Sequence, residues 1–242
     1  IVGGGFKLTI QGEGDASGGT EGFAVNNDGI ISGNLDLEIN TQATTTCDFN
    51  GTSGNFQNVK LNHASVDATF HTDTTFDGTL IIAAGTLKPQ GGSTIAVAGD
   101  TSVTGTFGVA SGSGAHSFAS LTINSGGTHI ATSGTTTITS KASSNFAFKN
   151  SGTFTHNSGT MQIGDGSTST GGAHLQNTTY HNLIINRDQN APDGNTPWRP
   201  SSGTEVTIAG DLTVTKGRFY RNNSSNSLVV TGDVDIAANG QV

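Results

Sequence analysis

Carboxylates two residues apart offer the simplest chemistry in this chain. Asp36 with Glu38, and again Asp233 with Asp235, project from one face of any strand that carries them. Such a pair can divide acid and base work or hold a cation. A solvent-facing strand face produces the same alternation, and that plainer reading is preferred. Asp100, Asp165, Asp211 and Asp233 each follow a glycine. Hard cations gather several carboxylate and carbonyl oxygens at once, but these four are far too sparse for a calcium-binding nine-residue repeat. Each sits where a turn is wanted, and Asp caps turns through its own backbone. Seven histidines, His63, His71, His116, His129, His156, His174 and His181, are scattered. A zinc site needs three or four ligands to converge, and no close spacing gathers them, so surface or groove positions are expected. No metal and no cofactor is predicted.

The stretch 12–19 is rich in Gly but holds no Lys, and no helix is predicted after it, so it reads as a loop and not as a phosphate cradle. Ile1-Val2-Gly3-Gly4 and Asp15-Ala16-Ser17-Gly18-Gly19 share short strings with trypsin-like proteases. Their closeness in the chain, without an intervening catalytic His or paired cysteines, excludes a Ser-His-Asp hydrolase. One segment stands apart. Residues 186–203 hold three of the four prolines, the single Trp and two of the four arginines. Long loops on regular scaffolds commonly carry recognition, and Trp and Arg dominate binding hot spots. Arg187, Asp188, Trp198 and Arg199, with Arg218, Tyr220 and Arg221 shortly after, are therefore the candidate binding residues. Packing of Trp198 against the side of the fold is the competing reading. No catalytic residue is predicted.

Composition decides which elements must position these groups. Of 242 residues, 36 are Gly and about half are Gly, Thr, Ser or Asn, with 32% hydrophobic, 12% charged and only 10 Lys plus Arg. Strong helix formers are scarce and β-branched residues abundant, which predicts an all-β chain. A net charge of −8 without a basic run argues against nucleic-acid binding. The longest apolar run, Leu80 to Ala84, is far shorter than the ~20 residues of a spanning helix, so no membrane insertion is expected. Cys47 is the single cysteine, so no intrachain disulfide can form, and a small buried apolar role is its default. The first and last residues read as those of a piece of a longer protein.

Two motifs repeat. Phe56-Gln57-Asn58-Val59-Lys60-Leu61-Asn62 returns as Phe118-Ala119-Ser120-Leu121-Thr122-Ile123-Asn124 and as Tyr180-His181-Asn182-Leu183-Ile184-Ile185-Asn186, the three copies equally spaced along the chain. Aliphatic positions two apart share a strand face, and the terminal Asn is expected to turn the corner with left-handed angles, bonding nearby backbone. The second motif is Val97-Ala98-Gly99-Asp100-Thr101-Ser102-Val103, then Ile208-Ala209-Gly210-Asp211-Leu212-Thr213-Val214, then Val230-Thr231-Gly232-Asp233-Val234-Asp235-Ile236. Its last two copies stand closest, separated by the length of one rung of a solenoid. Strands this short bury a core only by stacking. A solenoid of about 20–22 residues per rung follows, with the interval from Phe56 to Phe118 as three rungs. The units are 1–47, N-terminal rungs that match the repeat less well, and 48–242, the repeat solenoid with the inserted loop 186–203.

These repeats, together with Gly217-Arg218-Phe219, resemble the Gly/Thr/Asn-rich β-solenoid repeats of phage virions and of bacterial surface and secreted proteins. The resemblance implies a right-handed parallel β-helix and a non-enzymatic structural role, foremost as a virion protein such as a tail fibre or particle-surface element. A bacterial adhesin or secreted repeat protein is the first alternative, and a polysaccharide lyase or glycosidase the second. It implies a virion or extracellular location. The implied partners are other virion or surface subunits, a host-surface glycan, and further copies in a homotrimer.

Overall fold

A computed structural model describes residues 2–11, 25–27, 32–40, 45–51, 55–139, 146–166, 174–175, 178–187, 199–200, 205–219 and 227–241. Among them there are strands and no helix. Every pairing is parallel, as a chain must pair when it coils and lays each turn on the last. The long sheet runs through Val2–Ile10, Ser32–Ile39, Asn55–Leu61, Thr74–Phe76, Ile95–Val103, His116–Ile123, Thr135–Ile138, Thr160–Ile163, Asn182–Asn186, Leu212–Arg218 and Val234–Gln241. A facing sheet of seven strands runs from Val25–Asn27 to Thr153–Thr155, and three strands, Thr179–Tyr180, Glu205–Ile208 and Ser227–Val230, form a further sheet. The all-β parallel β-solenoid is thus established. At ~4.8 Å per strand the long sheet extends about 50 Å.

Strict alternation explains the core. Val66–Phe70 turns Val66, Ala68 and Phe70 inward and Asp67 and Thr69 outward. Stacking aligns the inward residues of successive turns, so Phe56, Phe76, Val97, Phe118, Ile138, Ile163 and Ile185 form one continuous column. Leu61, Ile82, Val103 and Ile123 form another, each one turn beyond the last. Farther along, the turns lengthen: the steps from Ile138 to Ile163 and from Ile185 to Val214 each take more chain than the step from Val103 to Ile123.

The long sheet is kinked along its length. Its register shifts between Val97 and Asp100, and the preceding turn breaks into Thr74–Phe76 and Leu80–Ile82. A ladder of polar side chains secures this kink. Asp36 Oδ1 accepts from the Asn58 backbone and Nδ2, Asn58 Oδ1 accepts from Thr79 N and Oγ1, and Asp100 accepts from the Ser120 hydroxyl. A similar ladder secures the turn that enters the sheet, where Thr94 N donates to Asp73 at 2.8 Å, Asp211 N to Asn182 at 3.0 Å and Asp233 N to Asp211 at 2.9 Å. Gly99-Asp100 and Asn58 serve the kink, whereas Gly210-Asp211, Gly232-Asp233 and Asn182 serve the turn. The repeat is therefore not carried straight through. Tyr180 stacks on Ile208, and Leu183 and Ile185 sit in the columns of His116 and Phe118 instead of those of Leu121 and Ile123.

The expected corner role of Asn62, Asn124 and Asn186 needs correcting. None has positive φ; Asn157 and Ser158 are the non-Gly residues that do, among those described. Asn62 Nδ2 donates to Glu38 at 2.9 Å, and Asn124 Nδ2 to the hydroxyls of Ser102 and Thr104. Bonding to the turn below replaces bonding to their own backbone. Asn58→Ala removes the acceptor shared by Thr79 N and Oγ1 and one donor to Asp36. It is expected to cost about 2 kcal/mol in urea denaturation without altering the circular dichroism spectrum.

Candidate functional site

The loop-borne binding candidates receive little geometry. Asp188, Trp198, Tyr220 and Arg221 lie outside the described residues, as do positions 188–198 and 201–203 of the expected loop 186–203. Arg199 and Arg218 are placed by backbone alone, in Arg199–Pro200 and at the end of Leu212–Arg218. The side chain of Cys47 likewise lies outside the description. Arg187 is described and is only 2% exposed. Its removal from water lowers its pKa, and the facing Asp165 carboxylate opposes that. Asp165 sits between Gly164 and Gly166, both at positive φ. Lys216 Nζ donates to the Gly166 carbonyl at 3.3 Å, so this corner joins an acid, a buried guanidinium and an ammonium.

Of the paired carboxylates, Asp36 and Glu38 are engaged across turns. Asp36 is held by Asn58, as above. Glu38 contacts Lys7, lies 3.9 Å from Lys60 and accepts from Asn62. The Lys7 hydrogen bond is the main reason its carboxyl titrates below the usual range. Among the described residues no cation pairs with Asp233, whose backbone N is tied to Asp211.

The expectation of surface or groove positions fails for two histidines. His116 is 3% exposed and His129 0%. Alternation puts His116 on the inward face shared by Phe118, and each ring keeps one nitrogen bonded to backbone. Ile95 N donates to His116 Nδ1 at 3.0 Å, and His129 Nδ1 lies 3.1 Å from the Phe107 carbonyl, which only an N–H can satisfy. Phe107 stacks on His129 with centroids 4.9 Å apart and meets Phe118 edge-on at 5.7 Å. Burial holds both imidazoles neutral, with pKa values pushed down to about 4.

A second histidine pair opens to solvent. Thr153–Thr155 ends in a tight turn, His156-Asn157-Ser158-Gly159, closed by Gly159 N donating to the His156 carbonyl at 2.8 Å. Asn157 (φ 48°) and Ser158 (φ 56°) occupy the left-handed region that a hairpin-type turn demands. Asn157 Nδ2 anchors this turn to the Ala110 carbonyl at 2.8 Å. The next turn of the coil brings His181 alongside, its ring centroid 5.5 Å from that of His156 at 41°. Both rings line a small cleft with Phe154, Met161 and Tyr180 on its floor. Ser158 N donates to His156 Nδ1 at 3.0 Å, leaving Nε2. His181 Nδ1 is shut off from solvent and has no hydrogen-bond partner among the described residues. Burial, then the neighbouring His181, lowers the His156 pKa. Sequence spacing alone missed this pair. The two are as far apart along the chain as Ile138 and Ile163, one local turn, which is visible only once the register is known.

Among the described residues no cluster of three or more His, Cys, Asp or Glu is placed to hold a metal ion. Fold and site define the class as a parallel β-solenoid repeat protein. No family model matches the chain, and neither a curated protein nor a solved structure is similar to it.

Proposed function

We propose that the chain is a non-enzymatic structural element, a rigid scaffold or attachment rod of a phage virion, as a tail fibre or particle-surface protein. The observation that carries this reading is the use of polar side chains as stitching. Asp36, Glu38, Asn58, Asp73, Asp100, Asn182 and Asp211 all bond to a neighbouring turn. A rod whose reactive groups brace successive turns resists bending along its whole length. The virion assignment draws its support from the resemblance of the Gly/Thr/Asn-rich repeats to phage particle proteins. Other virion subunits, a host-surface glycan and further copies of the chain are the partners this role calls for.

The test has two arms. Antibodies to the chain should label purified particles in electron micrographs, and the protein should leave acidic and neutral polysaccharides uncleaved. Labelling of a bacterial cell surface instead would favour the adhesin, and release of reducing ends or unsaturated sugars would overturn the non-enzymatic reading. Within the attachment role, Trp198→Ala is expected to weaken retention on host cells severalfold while shifting the melting temperature little. A large thermal loss with retention intact would assign Trp198 to packing.

A further inference from the structure

We propose that His156 and His181 form a binding site for a single borderline divalent metal ion, of the zinc, nickel or copper class, which staples one turn of the solenoid to the next. Imidazole suits these ions better than calcium or magnesium, and zinc–imidazole bonds are about 2.0–2.1 Å long. Adding roughly 1.1 Å from ring centre to nitrogen puts each centroid about 3.2 Å from a shared ion. Two centroids 5.5 Å apart then subtend roughly 115–120° at that ion, between the tetrahedral and trigonal angles. The centroid separation thus matches that of two imidazoles on one ion, with ring rotation left to aim the nitrogens.

Four further features bear on the site, and the third is a bond that coordination gives up. Both side chains line one cleft, so the two rings border a common space. His181 Nδ1 is shielded from water and otherwise unused, so coordination supplies a partner to a group that lacks one. His156 Nδ1 accepts from Ser158 N. Coordination through Nε2 moves the ring proton to Nδ1 and releases that amide, which is exposed, to water. The turn carrying His156 is held by the Asn157–Ala110 bond and by two left-handed residues, so the ligand is preorganised. The chain supplies two nitrogens and water completes the shell, which makes this an open site of modest affinity. Such a site is independent of the scaffold role.

The experiment is calorimetric titration of the whole chain, free of any polyhistidine tag, with zinc chloride and separately with nickel chloride. One ion per chain is expected at this pair. His156→Ala and His181→Ala should each weaken that binding about tenfold or more while leaving the circular dichroism spectrum unchanged, and His63→Ala should leave it unaltered. Copper(II) bound to the wild type should show an electron paramagnetic resonance spectrum with two equivalent nitrogen couplings, reduced to one in either variant. Absence of binding, or affinity retained in His156→Ala or His181→Ala, overturns the proposal.

Discussion

Acidification from pH 7 to pH 4 is expected to remove about 6 kcal/mol of folding stability, comparable with the whole stability of a marginal domain. His116 and His129 ionise near 6.5 when exposed and near 4 when folded. Desolvation inside the aromatic column is the chief cause for both, opposed at His129 by its bond to the Phe107 carbonyl. The sign follows from which state binds the proton. Between pH 6.5 and 4 the unfolded chain takes up protons at both rings and the folded chain does not, so stability is full above 6.5 and falls as pH drops towards 4. Each ring contributes about 3 kcal/mol, at ~1.4 kcal/mol per pKa difference of one. Urea denaturation at half-unit pH steps should show the decline. His129→Phe fits the same stack and should roughly halve the slope. A flat stability profile across that window would contradict the assignment of neutral buried rings.

Gly108→Val is expected to abolish folding or cost upward of about 3 kcal/mol, read as loss of soluble protein or a melting point lowered by more than about 10 °C. Two causes act together. Gly108 has φ 108°, outside the range that side-chain-bearing residues adopt. Any Cβ there would run into the Ile130 carbonyl of the next turn, a backbone atom fixed in the facing sheet. Neither turn can yield alone, because Gly108 N is itself bonded to the Leu87 carbonyl one turn below at 2.9 Å. Gly91→Ala is the control. It has positive φ but open space around its Cβ position, so it should carry the conformational cost of about 1 kcal/mol without the collision.

How far the sequence discloses this molecule is best judged at its corners. The parallel coil is legible because strand-length segments with two aliphatic positions recur at equal steps, at Phe56, Phe118 and Tyr180, and such segments gain a core only by stacking. Which corner each copy occupies is hidden. An aromatic or aliphatic residue, an Asx, then two aliphatic positions serves equally at the kink of the long sheet, with Phe56-Gln57-Asn58, and at the turn entering it, with Tyr180-His181-Asn182. Both corners ask for a side-chain oxygen facing the next amide, so one string fits two places. The buried histidines are concealed differently. His116 and His129 lie among Ser and Thr in strands whose alternation points them inward, and nothing local announces that Ile95 N and the Phe107 carbonyl will meet them. The half-buried pair, His156 and His181, needs the turn length, which is shorter from Val103 to Ile123 than from Ile185 to Val214.

The kink of the long sheet has one more implication. Beyond the step where Gly99 and Asp100 cross it, strands stack on both sides of the same seam: Thr135–Ile138, Thr160–Ile163 and Asn182–Asn186 on one side, and Phe146–Asn150, His174–Leu175 and Arg199–Pro200 on the other. Both edges of the seam are fixed by strand stacking, so peptide of differing length can be grafted between them while the strands on either side keep their partners. Successive grafts would emerge as a row at ~4.8 Å pitch. A rod with such a seam can diversify what it presents to the outside world without re-evolving what holds it upright.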